Sequence, residues 1–183
     1  MKFSETNRAN VFLNQGFTFC ETIDVHHFRG VVKIHNQLFP NKTDYNTVVG
    51  WLATQSDRAR YLFVAIPFGR NEVGAYFILE RRTRKDGKII YLRVFEFGVQ
   101  RKYHGQKVGH DLMKHILRET EMACDYSYLE FPVPDHNPRL HREVTKLGFV
   151  LKPPRRVVRG YFTAPVDDAL MYRFYWPYQS PLN

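Results

Sequence analysis

The sequence predicts a mixed α/β fold, and three observations carry that expectation. Val94–Val99 is apolar and aromatic, Gln100–Gly105 is polar and ends in glycine, and from Val108 apolar residues recur at Leu112, Met113, Ile116 and Leu117. That is a strand, a turn and a helix in succession. Three apolar runs precede it, Tyr61–Ile66, Val73–Leu79 and Ile89–Phe95, separated by turn-forming residues. Two segments with helical spacing and N-cap residues stand ahead of those runs.

Taken in order, Phe17–Ile23 alternates as a first strand does. Asp24 is an N-cap, and Val25, Phe28, Val31, Val32, His35 and Leu38 line one face of a helix that stops before Pro40. His26, His27 and His35 lack the Cys or carboxylate cluster of a metal site, so no metal is expected. Thr43 or Asp44 caps a second helix carrying Tyr45, Val48, Val49, Trp51 and Leu52. The three apolar runs then form a meander, with turns at Phe68–Asn71 and at Asp86-Gly87. The central helix ends near Ala123, and Asp125–Val133 supplies another strand. Asn137 and Pro138 read as N-cap and first residue of a helix that stops at Gly148. Two extended runs, Val157–Phe162 and Leu170–Trp176, close the chain.

Composition sets bounds. A chain of 183 residues with 44% hydrophobic and 25% charged residues is expected to form a single domain spanning 1–183. No apolar run reaches the ~20 residues of a membrane span. The opening residues lack the apolar core of a signal peptide, and the only cysteines are Cys20 and Cys124. A reduced, cytoplasmic protein is therefore expected. The net charge of +9 favours acidic partners, whether a phosphorylated cofactor or a nucleic acid. Basic clusters at Arg81–Lys85 and Arg155–Arg159 are candidate patches for an acidic partner such as a nucleic acid, and the alternative for Arg81–Lys85 is a solvated edge that resists strand-to-strand aggregation.

The strand-turn-helix carries the chemistry. Free N–H groups at the start of a helix, with the positive end of its dipole, make an anion site. Gly105 and Gly109 keep the wall low, and Arg101, Lys102 and Lys107 add positive charge.

Val99-Gln-Arg-Lys-Tyr-His-Gly-Gln-Lys-Val-Gly109 resembles the acetyl-CoA-binding motif of the GNAT superfamily of N-acetyltransferases. That motif is Val, four variable residues, then Gln or Arg, two variable residues, Gly, one variable residue, and Gly or Ala. His104 stands at the Gln/Arg position, Lys107 at the middle Gly and Gly109 at the last small residue. Downstream, Tyr128–Val150 is similar to the family's fifth strand, Asn, short helix and Leu-Gly-Phe. The resemblance covers roughly residues 60 to 176.

The resemblance implies a twisted, mostly antiparallel sheet with helices on both faces. It implies an N-acetyltransferase that passes acetyl directly from acetyl-CoA to an amine. The cofactor would meet Phe97, Gly98, Val99, His104, Gly105, Gln106, Lys107, Val108, Gly109 and His110, with Asn137 at the pantetheine. A backbone N–H within Phe97–Val99 would serve the acetyl carbonyl. Parting of the fourth and fifth strands would make the pantetheine slot, and Pro132 and Pro134 suit a strand that stops pairing. The usual thiolate acid is a Tyr seven residues after the Asn, where this chain has Val144. His141, one turn earlier, is the substitute candidate, with Tyr126 and Tyr128 as other donors. Glu96, a carboxylate in an apolar strand, is the candidate base, unless Arg93 or another neighbour pairs with it. Tyr45 and Trp51 are candidates for the acceptor pocket. The acceptor is a small amine or one borne on nucleic acid. The alternative is a non-catalytic module of the same fold that binds CoA or an acidic macromolecule. The aromatic tail Tyr172–Tyr178 would suit either a final strand or a partner subunit.

Overall fold

The computed structural model describes residues 12–14, 16–53, 59–84, 87–123, 126–152, 157–158 and 168–176. The strands are β1 (Phe12–Asn14), β2 (Phe17–Thr22), β3 (Arg60–Pro67), β4 (Ala75–Thr83), β5 (Ile90–Val99), β6 (Leu129–Pro134), β7 (Val150–Leu151), β8 (Val157–Val158) and β9 (Ala169–Phe174). The helices are α1 (Val25–Leu38), α2 (Tyr45–Leu52), α3 (Val108–Ala123) and α4 (Pro138–Lys146). The chain divides into two compact units, one ending at Ile78 and resuming over Glu96–Ile116, the other formed by Leu79–Phe95 and the residues from Leu117 onward.

In the first unit the strand order is β1-β2-β3-β4-β5. β1 and β2 pair antiparallel, as do β2 and β3, from Phe17↔Pro67 to Thr22↔Leu62. Alternation in β2 buries Phe17 and Phe19, while continuous buried runs, Leu62–Ala65 in β3 and Ala75–Glu80 in β4, mark strands covered on both faces. Asp24 caps α1 by accepting from the His26 N–H, and Asp44 caps α2 by accepting from Thr47. The buried face of α1 is Phe28, Val31, Ile34 and His35. Val25, expected inside, is 51% exposed, and Ile34 takes its place in the core. Val25 is the first helical residue and lies before the turn that packs.

Gly98 governs the packing of α1. A Cβ there would stand 2.9 Å from Ile34 and from Tyr76, and 3.0 Å from Leu38. Only glycine lets α1 lie this close to β5.

In the second unit the order is β4-β5-β6-β9-β7, with β8 also on β9. β6 and β9 pair antiparallel from Leu129↔Phe174 to Pro134↔Ala169. β7 and β8 pair antiparallel with β9. β5 and β6 are parallel, at Leu92↔Leu129 and Arg93↔Glu130. The Asp135 N–H bonds the Asp168 carbonyl, so odd-numbered residues of β6 direct their N–H groups toward β9. Even-numbered ones face the other edge, where Pro132 and Pro134 have no hydrogen to give. The parallel ladder therefore cannot be continued by β6 beyond Glu130. Glu130, 2% exposed, accepts from Arg93 at 2.9 Å and Arg173 at 3.3 Å, and the Arg173 guanidinium lies 4.0 Å from the Tyr128 ring centre.

Several expectations shift. β4 begins at Ala75 rather than Val73, because Val73 and Gly74 still belong to the turn. The last strand is Ala169–Phe174 rather than 170–176, and of the run from Val157 only β8 lies within the described residues. Asp86, Cys124, Arg155, Arg156, Arg159 and the tail beyond Trp176 lie outside them. Gly98→Ala is expected to lower stability by roughly 1–3 kcal/mol, the cost of overpacking a tight contact. Chemical denaturation would show it, and an unchanged midpoint would contradict the role given to Gly98.

Candidate active site

The first unit contains the loop that leads from β5 into α3. The Gln100 N–H bonds the Gly74 carbonyl at 2.8 Å, and Arg101–Tyr103 then forms one tight helical turn. The His104 ring donates from Nε2 to the Val99 carbonyl at 2.8 Å, which closes the turn against the end of its own strand. Gly105 (φ +81°) and Lys107 (φ +59°) both take the left-handed backbone conformation. Among the described residues, the N–H groups of Gly105, Lys107, Val108 and Gly109 donate to no backbone carbonyl. These are the orphan donors of a helix start. A Cβ on Gly109 would meet Val99 at 2.9 Å, so glycine is needed for the first turn of α3 to rest on β5.

The three cations near this loop have different fates. Arg101 donates to the Gln37 carbonyl at 2.8 Å. Lys102 and the Tyr103 hydroxyl both donate to Glu72. The Lys102 hydrogen bond leads the causes that hold the Glu72 carboxyl below its usual range. Lys107 is exposed, and among the described residues it makes no side-chain contact of this kind. Gln106 bonds back to the Lys102 carbonyl, Val108 is buried, and His110 is half-buried on the first turn of α3.

Glu96 lies on β5 two residues before Gly98. Its Oε1 lies 2.9 Å from Nδ1 of His35 and accepts from the Tyr76 hydroxyl at 3.1 Å. Arg93, the partner considered from sequence, bonds Glu130 instead. The reason is alternation: Arg93 and Glu96 are three apart on a strand and face opposite ways. Burial pushes the Glu96 carboxyl up, while the His35 charge, the His35 hydrogen bond and the Tyr76 hydrogen bond act to bring it down, and the net direction is up. The Nε2 of His35 donates to the Asn41 carbonyl at 2.8 Å, and the His35 ring lies 4.7 Å from Phe39 and 5.4 Å from Trp51. Phe97 stacks on Phe77 at 5.1 Å. His35, Tyr76 and Asn41 were not singled out as site residues, because nothing in local spacing links them to position 96. Two open cavities of this unit, about 230 and 310 Å³, are lined by neither Glu96 nor residues 101–110. They carry no part of this chemistry.

The second unit holds the remaining candidates. Asn137 caps α4, its Oδ1 accepting from the Leu140 N–H at 3.0 Å. His141 has both ring nitrogens engaged, Nδ1 with the Tyr172 hydroxyl at 3.0 Å and Nε2 with the Asp135 carbonyl at 3.1 Å. Val144 is 1% exposed and is a core residue of α4. Tyr126 and Tyr128 are buried, and burial leads the causes that push the Tyr128 phenol up to about 12. That opposes proton donation from Tyr128 near neutral pH.

Lys107→Gly is expected to stabilise the protein by up to ~1 kcal/mol. Relief of the left-handed strain, ~1–2 kcal/mol, exceeds the ~0.5–1 kcal/mol of added chain entropy. A drop in thermal midpoint would mean that the lysine side chain holds the loop.

No protein-family profile matches this sequence, and no curated protein matches it by sequence. Solved structures do match. The ribosomal-protein-S18-alanine N-acetyltransferase from Escherichia coli superposes with a TM-score of 0.66 at 17% identity, covering 87% of this chain and 93% of that one. Arabidopsis thaliana NAA60 in complex with acetyl-CoA gives 0.69 at 14% identity, covering 87% and 100%. A chain of the NatC complex bound to Gag peptide and CoA gives 0.71 at 9% identity, covering 88% and 99%. With the mostly antiparallel sheet, the parallel β5–β6 pair and helices α1 to α4, these superpositions show that the chain has the fold of the GNAT N-acetyltransferases.

Proposed function

We propose that this protein is an acyltransferase that uses acetyl-CoA to acetylate an amine. The observation that carries the reading is the β5–α3 loop. Two left-handed residues precede α3, a helix of 16 residues, and at its positive end the N–H groups of Gly105, Lys107, Val108 and Gly109 donate to no backbone carbonyl among the described residues. Those donors fit a pyrophosphate, and Lys107 adds a mobile cation where a 3′-phosphate or pyrophosphate can pair with it. Binding of acetyl-CoA and CoA by proteins of the same fold supports the reading.

Acetyl-CoA would supply the activated acyl group, and the chain's residues would supply the rest. Loop N–H groups and Lys107 bind phosphates. A backbone N–H within Phe97–Val99 serves the acetyl carbonyl. Glu96 takes the amine proton. His141, in the second unit, is an acid only by the resemblance, and it would have to exchange one of two existing hydrogen bonds to act. Turnover of His141→Ala decides whether it takes part.

The buried Val144 and the engaged His141 favour a second reading, a module of this fold that binds CoA or an acidic macromolecule without turnover. Within the acyltransferase reading, the charge of +9 leaves room for an amine borne on nucleic acid. Of the Arg81–Lys85 cluster, however, Arg82 is committed to the buried Glu80.

Calorimetric titration with acetyl-CoA, with dephospho-CoA in parallel, tests the proposal. Binding that weakens without the 3′-phosphate is expected. Absence of binding at millimolar cofactor would overturn it.

A further inference from the structure

The Glu96 cluster holds more than a lone carboxylate. Oε1 collects two donors, His35 from α1 and Tyr76 from β4, while Oε2 accepts no hydrogen bond among the described residues. The Glu96 side chain keeps 18% of its surface exposed, against 10% for His35, and Tyr76 is fully buried. The Asn41 carbonyl requires a proton on Nε2 of His35, because a carbonyl can only accept. A neutral imidazole would then present a bare lone pair to Oε1, and two acceptors would face each other at 2.9 Å. One proton must therefore lie between Nδ1 and Oε1. The second donor on Oε1 and the Phe39 and Trp51 rings beside the imidazole favour a carboxylate against an imidazolium. The proton that keeps Glu96 ionised is thus built into the fold.

We propose that His35 is a positioning residue for amine deprotonation. Its Nδ1–H and the Tyr76 hydroxyl fix Oε1 of Glu96, and Oε2 is left as the oxygen that takes the proton. In that step the amine N–H bond breaks with its electron pair left on nitrogen, and an O–H bond forms at Oε2. Water receives the proton after the product leaves. The inference rests on reading Glu96 as the base of an acetyl transfer, but the state of the His35 ring can be read without turnover.

The titratable groups that act on Glu96 among the described residues are His35 from α1 and Tyr76 from β4. From α2, Trp51 brings only an uncharged ring against His35. His35→Gln removes the charge that stabilises ionised Glu96, and burial then acts with less opposition. The acid limb of kcat/KM should move to higher pH by about one unit or more. A purely structural histidine would lower the rate at every pH and leave the limb in place.

The test has two arms. Nitrogen-15 NMR of histidine-labelled protein at neutral pH should show both His35 ring nitrogens protonated, and Glu96→Gln should remove the Nδ1 proton. The pH profile of His35→Gln should shift as stated, with acetyl-CoA affinity unchanged. A single protonated nitrogen in the wild type, a ring signal indifferent to Glu96→Gln, or an unmoved acid limb would each overturn the proposal. An intact ring signature in a protein that does not bind acetyl-CoA would sink the acyltransferase reading and leave the shared-proton pair standing.

Discussion

Ile34 and Leu38 occupy the space above β5 that a side chain at Gly98 would fill. The first unit depends on that close approach. It sets the height of α1 over the strand, and with it the reach of His35 to Glu96. A helix displaced by the width of one methyl group would break a 2.9 Å hydrogen bond and leave a half-buried carboxylate with one donor fewer. Gly109 repeats the arrangement at the other end of the loop, where the first turn of α3 rests on Val99. Two glycines thus serve packing first, and the N–H groups of the loop are held in place because that packing is tight.

Lys107 shows the opposite choice. Its backbone takes the left-handed conformation that a glycine adopts without cost, and the chain retains a charged side chain there. Strain kept at a position that points into solvent suits a residue that meets a ligand rather than the core. In the second unit the constraint is a missing donor. Pro132 and Pro134 end what β6 can offer to a parallel neighbour, while the antiparallel ladder to β9 runs on through Pro134↔Ala169. Proline removes hydrogen bonds from one edge of a strand and leaves the other intact.

Much of this was legible in the sequence. The strand, turn and helix from Val94 to Leu117 follow from apolar period alone, and Asp24, Asp44 and Asn137 act as the caps that their positions announce. The meaning of Lys107 was readable only in part. It stands where the motif has glycine, but only the backbone shows that the position takes φ +59°. The partners of Glu96 were not readable. His35 lies 61 residues away and Tyr76 20, and no local period connects them. The face of α1 that carries His35 was readable from its period, and His35 is buried there, but its partner was not. His141 was found by its offset from Asn137, and its bond to Asp135 is local, but its bond to Tyr172 depends on β9, 31 residues further along the chain.

The central claim is that the backbone between Gly105 and Gly109 is a phosphate cradle. Amide NMR of the protein titrated with acetyl-CoA tests it most directly. The account predicts that the amides of Gly105, Lys107, Val108 and Gly109 shift furthest and saturate together. Saturable shifts confined to other parts of the chain, with these four amides unmoved, would contradict it.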